Sequence, residues 1–144
     1  MEAIDVEKKK LFNETWDLLD KTDRTDEDNI TMLHKAHTSA YMWREANKPV
    51  NNARGEWQVS RVYSVLGFGQ PALLHGLGSL GICEENGIGD FDLAFGYEAV
   101  ARAYFTLGDV TRFEEYRAKG LAAAAEVREK DDREYVTGEL NGIK

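Results

Sequence analysis

The chain has 144 residues, enough for one domain that buries its own core and too few for two ordinary ones. Its 18 Lys+Arg stand against 26 Asp+Glu, and the net charge of -8 argues against binding driven by nucleic-acid phosphates. A single cysteine, Cys83, allows no internal disulfide and suits a reducing cytosol. No apolar run reaches the roughly 18 residues of a membrane span, and the first residues lack a signal-peptide core, so no membrane partner and a cytoplasmic location are expected.

In chain order, apolar spacing predicts seven helices, at about 6–20, 26–46, 49–66, 71–86, 90–107, 109–129 and 131–140, and no strand. The acidic stretch from Asp20 to Asp28 reads as a solvated turn. Within it, Thr25 and Asp28 form a loose capping box for the second helix. Val59, Val62, Tyr63 and Leu66 give the third helix one buried face. Pro71 is expected to open the fourth helix, because a first helical position needs no N–H. Asp90 and Asp109 are expected to cap the fifth and sixth. The last helix is expected to close the domain, with Tyr135 toward the core.

Shifting the chain by 41 residues aligns 53–67 with 94–108, with seven of fifteen positions identical, among them Ala53/Ala94, Gly55/Gly96, Arg61/Arg102, Tyr63/Tyr104 and Gly67/Gly108. One step back, Trp57 meets Trp16 and His75 meets His34. Such an echo marks stacked supersecondary units. The expected units are about 7–48, 49–88 and 89–129, within one domain spanning 1–144 and capped by 131–140. Gly67 and Gly108 fall where a helix ends on a left-handed residue.

The third unit resembles a tetratricopeptide repeat: Tyr97, Ala101, Tyr104 and Gly108-Asp109 match the bulky, small, aromatic and terminal Gly-Asp positions of that family's first helix. In the second unit Ser60, Tyr63 and Gly67 match, and Ala72 sits at the small position of the second helix. The unit is longer than the family's 34 residues. Phe113 stands at a small position, Arg117 at an aromatic one, and no unit carries the closing proline. The resemblance implies an all-α fold of antiparallel helix hairpins stacked as a short right-handed solenoid. It also implies that the first helix of each pair lines a concave, partner-binding groove. Arg54, Trp57, Arg61, Phe95, Glu98 and Arg102 would then face that groove.

Arg54, Trp57 and Arg61 share one stripe of their helix, and guanidinium groups bind carboxylates bidentately, which points to an acidic protein or peptide partner. The alternative is that Arg61 and Arg102 pair internally with acids such as Glu56 or Glu98 and hold adjacent units in register. His34 and His37 share a helix face, and His37, Tyr41 and Arg44 are a candidate polar pocket. A metal would need His75 or Glu56 as a third ligand, but His75 is the repeat equivalent of His34 on another helix. The expected role is structural, with each imidazole hydrogen-bonded at a helix interface, and no metal or cofactor is expected. Gly76 to Gly81 spells the dinucleotide fingerprint, but the residues before it open a helix rather than end a strand, so close helix packing is the expected reading. No nucleophile–base pair, phosphate loop or paired-carboxylate pattern supports catalysis. The expected role is therefore non-catalytic: a module that binds a partner segment, with a small-ligand or metal protein built on His34, His37 and Tyr41 as the alternative. Apolar end faces also make a homodimer an expectation.

Overall fold

A computed structural model describes residues 3–144, and among them there are seven helices and no strand. They are α1 (Ala3–Asp20), α2 (Asp26–Glu45), α3 (Pro49–Val65), α4 (Gly69–Glu85), α5 (Asp90–Leu107), α6 (Val110–Ala125) and α7 (Lys130–Asn141). Each helix packs on the next through short turns, giving stacked antiparallel hairpins. Contacts of a second kind join α1 to α3, α3 to α5 and α5 to α7, so the odd helices form one layer and the even helices the other. A solenoid core arises this way, because one hairpin cannot bury its apolar face alone.

Local chemistry sets the helix ends. The Thr25 hydroxyl accepts from the Asp28 amide at 3.1 Å, and the Asp28 carboxylate accepts from the Thr25 amide at 3.0 Å. Pro49 opens α3, and Asp109 caps α6 by accepting from the Arg112 amide. Gly67 (φ +86°) and Gly108 (φ +78°) both end their helices left-handed. The next amide then reaches back to the tyrosine carbonyl in each case, Phe68 to Tyr63 at 2.9 Å and Asp109 to Tyr104 at 3.0 Å. The same closing motif at both sites accounts for the identical Tyr and Gly positions.

Four expectations are corrected. Helix α4 starts at Gly69, so Pro71 is third in the helix, still within the turn where no intrahelical N–H bond is made. The position before α5 is Gly89, not Asp90. Asp90 is the first helical residue, at φ +58°, and its carboxylate accepts from the Phe91 amide at 2.8 Å. Helix α6 ends at Ala125, freeing Glu126 to Glu129 for the turn into α7. Tyr135 is 54% exposed; α7 buries Val136 and Leu140 instead, against Ala94, Phe95, Ala124 and Val127.

The helices cross closely where side chains are smallest. A Cβ on Gly55 would stand 3.1 Å from Ala40 Cα, and one on Gly96 would stand 3.1 Å from Leu80 Cα. These positions are one repeat apart, and each brings an odd helix against the helix before it. In the fingerprint-like run, only Gly76 is pressed by its neighbours: a Cβ there would stand 3.1 Å from Ser60 Oγ and 3.3 Å from the backbone of Ala99 and Val100. Gly78 and Gly81 have space around them. The run lies inside α4, so it forms no phosphate-binding turn.

Candidate partner-binding groove

The inner wall is built on positions one repeat apart. Trp16, Trp57, Glu98 and Glu139 succeed one another at intervals of 41 on α1, α3, α5 and α7. The Trp16 and Trp57 rings lie 5.3 Å apart. Trp57 Nε1 donates to Glu98 Oε2 at 3.1 Å. Arg61 Nη2 and Arg102 Nε both donate to Glu98 Oε1, at 2.7 and 2.9 Å. Glu139 stands 3.9 Å from Arg61 and 3.8 Å from Arg102. Two acids and two guanidinium groups thus close the wall between α3, α5 and α7, and the Arg61 guanidinium also lies 5.3 Å from the Trp57 ring centroid.

Glu98 is fully buried, not a groove-facing side chain. Burial pushes its carboxyl up, but Arg61, Arg102 and the Trp57 indole outweigh this and hold it below the usual carboxylate range. Burial likewise opposes the charge on Arg61, and Glu98 and Glu139 overcome it. Arg61 and Arg102 therefore adopt the internal pairing that the sequence left open as the alternative, with side chains only 11% and 16% exposed.

The other three groove residues, Arg54, Trp57 and Phe95, do line a hollow. It encloses about 530 Å³, within the usual range of ligand sites, and is bordered by all four odd helices. Because α1 and α7 border the same hollow, the odd layer is the concave one. Phe12, Trp16, Trp57, Phe91, Phe95 and Tyr135 make its walls aromatic. Phe95 meets Trp57 edge-on at 5.3 Å and Phe91 at 4.7 Å, so the floor is held by ring packing. Arg54 at the rim binds Asp92 through two hydrogen bonds, at 2.8 and 3.1 Å.

His37 and His75 each hydrogen-bond across a helix interface, the structural role expected of the histidines, rather than forming a polar pocket with Tyr41 and Arg44. His37 Nε2 lies 2.7 Å from the Tyr63 hydroxyl, and His75 Nδ1 lies 2.5 Å from Glu56 Oε2. The His37 and His75 rings meet edge-on at 5.5 Å, while Tyr63 stacks on His75. Desolvation, with the nearby His75, lowers the pKa of His37. His34, Tyr41 and Arg44 are exposed, and none of the four proposed pocket residues lines the hollows described here. Among the described residues, no group of three or more His, Cys, Asp or Glu side chains is placed to hold a metal ion. Cys83 is buried in the core, and its thiol is pushed up to about 11 by desolvation.

Sequence reasoning missed Phe12, Phe91 and Tyr135 in the groove and Glu139 behind it. The same 41-residue step carried one unit further would have reached Glu139 from Glu98 and Tyr135 from Ala94. Among the described residues, no helix is long and apolar enough to cross a membrane. Together, the fold and hollow define a stacked-hairpin helical protein with an aromatic-walled concave groove. No family model matches the sequence, and no curated protein or solved structure matches it either.

Proposed function

We propose that this chain is a tetratricopeptide-like, non-catalytic interaction module that takes a partner segment into its concave groove. The observation that carries the reading is the hollow of about 530 Å³, walled by aromatic side chains from all four odd helices. Large rigid aromatics supply contact area at low entropic cost and dominate the energetics of protein interfaces. A cytoplasmic setting accords with a lone, buried and protonated Cys83. In this reading Arg61 and Arg102 support the groove from behind, while Trp57 and Phe95 form its floor.

Tyr135 is the suitable probe, because it lines the groove yet is half-exposed. Tyr135→Ala weakens capture of a partner segment severalfold with unchanged circular dichroism, whereas Tyr41→Ala, outside the groove, leaves capture intact. Equal binding by both variants would overturn the assignment.

A further inference from the structure

Resting on that reading, we infer that the groove takes an acidic–apolar peptide segment in one register, an acidic residue over Lys9 and Lys48 and a bulky side chain a few residues away on the aromatic floor. A second hollow, of about 480 Å³, shares Phe12 and Arg54 with the first and so continues the groove past α1 and α3. Its lining includes Lys8, Lys9, Lys48 and Arg54 against one acid, Asp5, in a chain whose net charge is -8. Two of these cations are already occupied. Lys8 Nζ lies 2.6 Å from Asp5 and 4.5 Å from the Trp43 ring centroid, and Arg54 is held by Asp92. Lys9 and Lys48 are exposed and make no ion pair among the described residues. Both border the same hollow as Asp5, whose carboxyl is lowered first by its bond to Lys8 and also by Lys48 and Lys9.

The opposite end of the groove carries the other sign. Asp132 of α7 is exposed at the edge of the aromatic hollow and makes no side-chain ion pair among the described residues. The groove therefore runs from ammonium groups, over rings, to a carboxylate. An acidic residue is drawn to the first end and repelled by the second, which fixes the direction of a bound segment as well as its place.

The test is an array of short immobilised peptides of mixed composition, probed with the full chain. Sequences retained by the wild type are expected to carry Asp or Glu within a few residues of Phe, Trp or Leu. The double variant Lys9→Glu/Lys48→Glu is expected to bind them about tenfold more weakly at low salt, with the difference shrinking as salt rises. Arg112→Glu, an exposed reversal on α6, is the control and leaves binding unchanged. Basic retained sequences, or acidic ones indifferent to the double reversal, overturn the register; if Tyr135→Ala still weakens those peptides, the groove itself stands. Retention of no peptide overturns register and groove together. So does concentration-dependent dimerisation by sedimentation that Tyr135→Ala abolishes, since the occupant is then a second copy of the chain.

Discussion

Replacing Glu98 by glutamine would leave two largely buried guanidinium groups facing a neutral amide. Glu139, at 3.8–3.9 Å, offsets part of the loss. The expected cost is about 3 kcal/mol, read by urea unfolding, because a buried charge without its counter-charge is heavily penalised. The effect also has a pH signature. The folded-state carboxyl lies below its ordinary value of 4.5, so the unfolded chain binds the proton more readily. The stabilisation is complete above about pH 4.5 and is lost as pH falls through the folded-state value. Glu98→Gln should flatten the acid limb of the stability curve; an unchanged limb would mean that the carboxylate is not held by the arginines. The two close glycines give a second residue-scale contrast. Gly96→Ala would press a Cβ against Leu80 backbone and is expected to cost about 1–3 kcal/mol. Gly81→Ala, with nothing within 4 Å in the same kind of helix interior, should instead stabilise by about 0.5–1 kcal/mol. The identity Gly55/Gly96 was visible in the sequence, but its cause was not, since a glycine pressed by a neighbouring backbone and one in open space are the same letter.

At the scale of elements, α7 does more than cover an end. It starts 40 residues after α5, lies in the same layer, and contributes Glu139 to the buried ion cluster and Tyr135 to the groove. Leu140 is fully buried, with its side chain packed over Gly120. Leu140→Ala is therefore expected to cost about 2–5 kcal/mol in thermal or urea unfolding. A loss under 1 kcal/mol would show α7 to be loosely docked. Helix positions were largely legible because apolar spacing and caps are local signals. The α1–α2 turn was less so. Arg24 donates to the Leu18, Leu19 and Lys21 carbonyls at the end of α1 and to Asn29 of α2, a closure by one arginine that the run of acidic residues concealed. Arg133 does similar work after α6, donating to the Val127 carbonyl at 2.8 Å.

Across the whole molecule, the 41-residue echo read correctly as stacked hairpins, because repeated packing demands repeated small and aromatic residues. What it could not decide was whether the arginines stay open or are shared internally between units with an acid such as Glu98. Arg61 and Arg102 occupy equivalent positions, yet both turn to the same Glu98, and a carboxylate buried between units leaves no periodic trace of its partners. The arginine stripe thus pointed to the right wall, and of the two readings it left open the structure shows the internal pairing for Arg61 and Arg102. Curvature decides this, since bringing α1 and α7 to one hollow buries the middle of the wall and leaves Phe12, Phe91 and Tyr135 at its borders. The concave face as binding surface is tested most directly by backbone amide NMR of the intact chain, titrated with a peptide retained on the array. Shift changes are expected to concentrate on α1, α3, α5 and α7 around Phe12, Trp57, Phe95 and Tyr135. Changes confined to α2, α4 and α6 would contradict the account.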